Sequence, residues 1–152
     1  MKLAPDSHLK FEAFFREFFA DEQFQVPEVY FYSGKFSRLL TETLKIHGIA
    51  IGKNVFVTPK FVSVENKRLK IHTELAAHEI VHVLQYKREG FIKFLYEYLK
   101  SYRRNLKKKK ILDKVSRRQA YWEIPFEIEA REIAAKFVEW NEKNGKRIMD
   151  NG

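Results

Sequence analysis

Helical periodicity dominates the hydrophobic pattern of this chain. Apolar residues recur every three or four positions, with charged residues between them, over about residues 8–20, 73–87 and 125–141. This spacing places the apolar side chains on one face of a helix. A further apolar stripe runs from Phe91 to Tyr102, after Gly90 has interrupted the pattern. The pattern therefore predicts one helix near each end of the chain and two in succession between them.

The shorter period of β-strands is confined to about residues 26–58. Val29–Tyr32 is rich in β-branched and aromatic residues, and Ile49–Ile51 and Val55–Val57 flank a Gly-containing turn at 52–54. Two such runs joined by a short turn predict a β-hairpin. The region therefore predicts a small antiparallel sheet.

The remaining segments complete an α+β layout. Residues 43–47 alternate between polar and apolar side chains, which favours a strand, and residues 60–72 predict a connection. The order of helix, small sheet and further helices is typical of an α+β domain. With 152 residues, the chain is expected to form one domain over residues 1–152.

The composition fits one core and excludes a disulfide framework. The chain is 45% hydrophobic, with 14 Phe residues, and contains no Cys. An aromatic-rich core is expected, and any metal ion must be held by His, Asp or Glu. Met1–Asp6 has no long apolar run, and no apolar stretch approaches the roughly 18 residues of a spanning helix. We therefore expect a soluble cytoplasmic protein without a transmembrane segment.

The run His78-Glu79-Ile80-Val81-His82 has the pattern H-E-x-x-H and lies inside an apolar, helix-forming stretch. Residues four apart share one face of a helix, so both imidazoles can point at one ion. Glu79 can lean toward a water molecule on the same ion. This is the arrangement of zinc peptidases. The sequence therefore predicts Zn2+ on His78 and His82, with Glu79 as the general base.

A third protein ligand is expected, because a catalytic zinc site usually has three. No His follows His82, so a ligand from downstream must be an acid. The closing helix carries Glu127 and Glu129 on different faces, so at most one of them is expected to bind. Glu129 is favoured, because the small Ala130 beside it lets helices approach closely, and Glu127 is the reserve.

The same residues also allow plain structural interpretations. The His pair could lie on its helix without an ion, Glu79 could pair with Lys or Arg in solvent, and the closing acids could form a solvated face. The metal site is favoured because the acids form the compact cluster downstream of a complete H-E-x-x-H. Gln85, one turn beyond His82, either supports the metal-binding imidazole or faces water. His47 and His72 lack such spacing and are interpreted as structural or surface residues.

The net charge of +9 is concentrated in one segment. Residues 100–118 contain ten Lys or Arg and one acid, Asp113. The basic run at its centre consists of Lys107, Lys108, Lys109 and Lys110. Such a segment can attract an anionic partner, or it can be a solvated helix face or loop. Tyr96, Tyr98 and Tyr102 could stack on nucleic-acid bases, whereas the preceding Phe and Leu stripe could lie against anionic lipid.

Several stretches of the chain resemble a known family. They are residues 49–57, the motif stretch 75–86, residues 90–95 and the closing stretch 120–131 with its P-F-E-I-E-A. Over roughly residues 26–140, the chain resembles the zincin-like metallopeptidase domain associated with extracellular contractile injection systems. The resemblance implies a helix-rich minimal zincin-like fold of the gluzincin type, with the hairpin packed on the motif helix. It also implies Glu129, the Glu directly before Ala, as the third ligand.

The resulting functional prediction is a zinc-dependent peptidase that acts on a peptide or protein substrate. Glu79 would take a proton from the activated water and pass it to the leaving amine. The hairpin near Val55–Val57 would offer an edge strand to an extended peptide, and Tyr121 or another Tyr would stabilise the oxyanion. The alternatives are a binding module that uses the basic surface and an inactive zincin with a structural metal. The sequence does not indicate the oligomeric state.

Overall fold

The structure is a computed structural model that describes residues 5–44, 47–65 and 68–150. Its helices are α1 (Pro5–Phe19), α2 (Lys35–Leu44), α3 (Thr73–Glu89), α4 (Phe91–Lys107), α5 (Lys114–Trp122) and α6 (Pro125–Asp150). Its strands are β1 (Tyr30–Tyr32), β2 (Gly48–Ile51), β3 (Asn54–Val57), β4 (Val62–Glu65) and β5 (Arg68–Ile71). A 3-10 turn spans Pro59–Phe61. The predicted fold class, a helix-rich α+β fold with a small sheet, is confirmed.

Three strands form a mixed sheet in the order β1, β3, β2. β2 and β3 make the predicted antiparallel hairpin, in which Ala50 lies opposite Val55 and Gly52 has a φ of 60° in the turn. β1 runs parallel to β3, because the connection through α2 carries the chain back before β2 begins. β3 therefore lies between two partners, and the edge strand of the hairpin is β2. Among the described strands, β2 is the edge that packs against α3.

Two segments differ from their predicted conformation. Residues 60–72 were predicted as a connection, but they contain the β4–β5 hairpin, in which Val62 pairs with Ile71. Residues 43 and 44 belong to α2 rather than to a strand, whereas residues 45 and 46 lie outside the described residues. An alternation of polar and apolar residues over only five positions does not distinguish the period of a strand from that of a helix. The helix that begins at Lys35 therefore continues through Thr43 and Leu44.

The core lies between the sheet, α1, α3 and α6. Phe11 stacks on Phe137 with ring centroids 4.3 Å apart, and Phe14 meets the same ring edge-on at 5.2 Å. α3 is covered on several sides, because α6 and β2 both pack against it. Ala130 and Ala134 of α6 are buried, and their small side chains let the two helices lie close together. The H-E-x-x-H helix is therefore the central element of the fold.

α4 and α5 form a helical pair that contains the basic segment. α5 was not predicted, and it begins where the Asp113 carboxylate accepts a hydrogen bond from the backbone N–H of Ser116, an N-cap. The buried side chain of Asn105 ties α4 to α5 by donating to the carbonyl of Ala120 at 3.1 Å. Within the described residues, no helix has both the length and the apolar character that crossing a membrane requires.

Candidate metal centre

Three side chains from α3 and α6 converge on one point. His78 and His82 lie one turn apart on α3, and their Nε2 atoms are 3.1 Å apart. Glu127, in the first turn of α6, places Oε2 3.3 Å from Nε2 of His78 and Oε1 3.3 Å from Nε2 of His82. Among the described residues, these three form the group of His and acid side chains that could hold a metal ion.

The carboxylate at this point is Glu127, so the preference for Glu129 is corrected. Glu129 faces away from the imidazoles, and its carboxylate accepts hydrogen bonds from Arg88 at 2.7 and 3.0 Å. The difference follows from the phase of α6. Glu127 shares the inward face with the buried Ala130 and Ala134, at helical spacings of three and seven residues, whereas Glu129 does not. This burial period was present in the sequence and was the signal that could have selected Glu127.

The donor set fits a divalent ion. Zinc bound by His nitrogen and carboxylate oxygen at about 2.0–2.1 Å in a tetrahedron requires donor atoms about 3.3 Å apart. The three separations between the donor atoms, 3.1, 3.3 and 3.3 Å, match this edge. In addition, Oε2 of Glu127 and Oε2 of Glu79 are buried without a hydrogen-bond partner. Buried carboxylate oxygens are rarely left so, because desolvation without compensation is costly. A cation between these groups would satisfy them.

Glu79 lies beside the cluster, in space that a glycine leaves open. Its side chain is only 2% exposed, although it follows His78 directly on α3. It points at the backbone of Gly48 in β2, where an added Cβ would lie 2.4 Å from Oε1 and 2.9 Å from Cδ of Glu79. A real Cβ does not approach other atoms so closely. Gly48 therefore creates the space that the carboxylate occupies.

A hydrogen-bond chain orients His82. Oε1 of Gln85 lies 2.8 Å from Nδ1 of His82. The Gln85 amide nitrogen donates to the carbonyl of Phe126 at 3.0 Å and to Glu129 at 2.9 Å, and Arg88 holds Glu129 in turn. Because both amide protons are engaged, Oε1 must accept from Nδ1 of His82, which leaves the Nε2 lone pair for an ion. Gln85 therefore supports the imidazole and does not face water.

Two tyrosines adjoin Glu127. The Tyr98 hydroxyl donates to Oε1 of Glu127 at 2.7 Å, and Tyr121 interacts with both Glu127 and Tyr98. Burial, and then the charge of Glu127, raises the pKa of both hydroxyls, so both stay protonated donors at neutral pH. The sequence suggested Tyr121 but missed Tyr98 at this site. The inward stripe of α4, on which Tyr98 follows the buried Phe94 by one turn, was the signal available for it.

The side chains of the cluster shift one another's pKa. Burial lowers the pKa of His82, but its interaction with Glu127 outweighs this effect and raises the pKa to about 9. Burial raises the pKa of Glu127, but the two imidazoles hold it well below its usual range. For Glu79, burial raises the pKa and outweighs the nearby imidazoles. The His82–Glu127 pair therefore holds a proton tightly, and a metal ion must displace that proton to bind.

The other predicted residues lie elsewhere. His72 is the exposed residue before α3, and the His47 ring lies 4.7 Å from the ring of Phe61. Neither belongs to a metal-binding group among the described residues.

Comparison with known proteins gives no relative, since no protein-family model, no curated protein and no solved structure matches this chain. The functional argument therefore rests on the geometry of the cluster.

Proposed function

We propose that this protein is a zinc-dependent peptidase. The observation that carries the proposal is the convergence of His78, His82 and Glu127 on one point. A fourth side chain, the buried carboxylate of Glu79, lies beside these three candidate ligands. A set of three donors with an adjacent carboxylate is what metal-assisted hydrolysis requires. The resemblance to the zincin-like metallopeptidase domain of contractile injection systems supports the same activity and is proposed with it.

A catalytic role fits the donor set better than a structural one. Structural zinc sites are usually closed by four protein ligands, whereas catalytic sites have three and keep one position for water or substrate. The described residues provide three donor side chains. Two His and one carboxylate are also among the ligand sets that catalytic zinc sites use. We therefore favour an active peptidase over an inactive zincin.

Each nearby side chain has a role in this proposal. Zinc supplies Lewis acidity, which polarises a carbonyl and acidifies water. Glu79 accepts the proton of the attacking water on its carboxylate and delivers it to the leaving amine. Gln85 keeps His82 in the tautomer that presents Nε2. Tyr98 and Tyr121 hold Glu127 in place through their hydroxyl groups.

The edge strand suits a peptide substrate. β2 is an edge of the sheet among the described strands, and its first residue, Gly48, touches Glu79. An extended peptide can add to such an edge through main-chain hydrogen bonds. The backbone of the peptide would then run past the carboxylate that acts as the base. The proposed substrate strand therefore lies along β2, the edge strand of the hairpin that the sequence indicated near Val55–Val57.

Metal loading tests the proposal first. Protein treated with a chelator and reloaded is expected to bind about one zinc per chain, because one cluster is present in the described residues. His78→Ala and His82→Ala should abolish binding, whereas the matched His72→Ala, exposed at the start of the same helix, should not. Wild-type protein that binds no zinc under these conditions would contradict the metal site.

Peptide cleavage tests the activity separately. A peptide library incubated with zinc-loaded protein should show cleavage that a chelator stops. Glu79→Gln should retain zinc and lose activity by roughly 10²–10⁴-fold, the usual contribution of a general base. Glu74→Gln, an exposed acid in the first turn of the same helix, is the matched control and should cleave normally. Cleavage that survives Glu79→Gln would remove Glu79 from the proposed role.

A further inference from the structure

The two sides of α4 have different characters. Its inward side carries Phe94, Tyr98 and Ser101, which pack toward α3 and α6. Its outer side carries an apolar stripe at helical spacing, Ile92, Leu95, Tyr96 and Leu99. All four are exposed, Ile92 by 83% and Tyr96 by 60%. A helix with apolar residues exposed at this spacing presents an apolar face that the fold itself does not use.

Cations continue this stripe toward the end of the helix. The outer side of the last turns carries Arg103, Arg104, Lys107 and Lys108, which line a surface groove with Tyr96 and Leu99. Exposed apolar residues reappear after α4 as Ile111, Leu112 and Val115. Ile111 and Leu112 lie between Lys110 and Lys114 in the chain, and Val115 follows Lys114. Apolar and basic side chains therefore alternate along one stretch from residue 92 to residue 118, which we call the α4–α5 surface.

The net positive charge of the protein is concentrated in this surface. Residues 100–118 hold ten Lys or Arg and one acid, out of 29 and 20 in the chain. The rest of the chain therefore has nineteen of each and is neutral. Three of the charges are already engaged, since Lys109 pairs with Glu123 at 2.6 Å, Lys100 lies 3.4 Å from Glu97 and Asp113 caps α5. The exposed cations at the end of α4, Arg103, Arg104, Lys107 and Lys108, can meet an external anion.

We propose that the α4–α5 surface binds the face of an anionic lipid bilayer. An interfacial helix buries apolar side chains among the acyl chains and places Lys and Arg among the anionic headgroups. The exposed Ile, Leu and Tyr side chains supply the first part, and the cations that follow supply the second. Long Lys and Arg side chains can also reach back to the headgroups when their helix lies in the interface.

Nucleic acid fits the surface less well. Phosphates would engage the cations, but a nucleic acid gives Ile92, Leu95 and Leu99 nothing to bury against. Base stacking needs exposed aromatic rings, and Tyr98, one of the tyrosines considered for that role, is committed to Glu127 at the metal centre. A bilayer, by contrast, uses both the aliphatic and the basic side chains. The proposal does not depend on catalysis, since α4 can bind lipid with its outer side while its inward side supports Glu127.

Vesicle co-sedimentation tests the charge requirement. The full chain is expected to sediment with vesicles that contain about 30% anionic phospholipid at least tenfold better than with neutral phosphatidylcholine vesicles. A fourfold variant should weaken anionic binding roughly hundredfold, since each cation near the surface contributes several-fold. It consists of Arg103→Gln, Arg104→Gln, Lys107→Gln and Lys108→Gln. A control with the same net charge should bind like the wild type. It consists of Lys10→Gln, Lys35→Gln, Lys87→Gln and Lys143→Gln, all at exposed positions.

Labelling tests insertion of the apolar stripe. Because the chain has no Cys, a single Ile92→Cys variant can carry one environment-sensitive fluorophore. Its emission should shift to the blue on anionic vesicles, whereas a label at Leu39→Cys, which is also exposed (65%) but lies on α2, should not respond. The proposal is overturned if the protein does not sediment with anionic vesicles, or if the two fourfold variants lose binding equally. It is also overturned if the Ile92 label stays in water or if binding is seen with nucleic acid alone.

Discussion

At the metal centre polar side chains are buried, whereas on the outer side of α4, one helix away, apolar side chains are exposed. Glu79 and Glu127 are each 2% exposed, and each has a carboxylate oxygen without a hydrogen-bond partner. Ile92 is 83% exposed and has no packing role in the core. Both regions depart from the usual burial of each residue type, in opposite directions.

The comparison teaches which residues indicate a function beyond the needs of the fold. A fold alone explains buried apolar and exposed polar residues, because these lower its free energy. Buried carboxylate oxygens without a hydrogen-bond partner and an exposed apolar stripe both raise the free energy of the isolated chain. Each becomes favourable when an external component is added, a cation in the first case and an apolar environment in the second. The predictions below test each side of this contrast.

The largest effect is expected from replacing Glu127 and Glu129 of α6, one at a time. Glu127→Gln removes one of three donors and should weaken zinc affinity by more than about hundredfold. Glu129→Gln removes one of the two acceptors that orient Gln85 and leaves all three donors in place, so a loss of about tenfold is expected. Competition with a zinc-binding dye measures both. The opposite order would restore Glu129 as the ligand and would contradict the geometry of the cluster.

A pH dependence of similar size should accompany zinc binding. In protein stripped of metal, the pKa of His82 is raised to about 9, so His82 carries a proton at neutral pH. Zinc must displace that proton, and the apparent affinity should therefore rise about tenfold per pH unit from pH 7 until it levels off near pH 9. Metal-buffered titrations measure the slope. Affinity that is already flat between pH 7 and pH 8 would contradict the coupling of His82 to Glu127.

Glycine 48 gives a third test, in which packing and not metal affinity is measured. Gly48→Ala places a methyl group 2.4 Å from Glu79, so we expect a loss of about 1–3 kcal/mol in the free energy of unfolding. Gly34→Ala is the matched control, because a Cβ there meets nothing within 4 Å. The same substitution in a Glu79→Ala background should cost much less, since its steric partner is gone. An equal cost in both backgrounds would separate Gly48 from Glu79.

Local patterns made the motif helix predictable, whereas contacts distant in sequence were not. The H-E-x-x-H spacing fixes the relative positions of His78 and His82 within one helix, and the structure brings their nitrogens together as expected. The choice between Glu127 and Glu129 depended instead on how α6 is rotated against α3. The contact of Gly48 with Glu79 joins residues 31 positions apart in different elements, and no local pattern carries it. Likewise, the position of β3 in the middle of the sheet depends on where β1 returns after α2.

The smallest effect is expected on the exposed side of α4, and it is informative because it is small. Ile92→Ser should change the free energy of unfolding by no more than about 0.5 kcal/mol, as is usual for an exposed position. Phe94→Ala, two residues away on the inward side, should cost about 3–5 kcal/mol, because Phe94 is buried against Tyr86 and Phe126. Chemical denaturation measures both. A large loss for Ile92→Ser would mean that the outer side is covered within the fold, and its apolar area would then not be free for a bilayer.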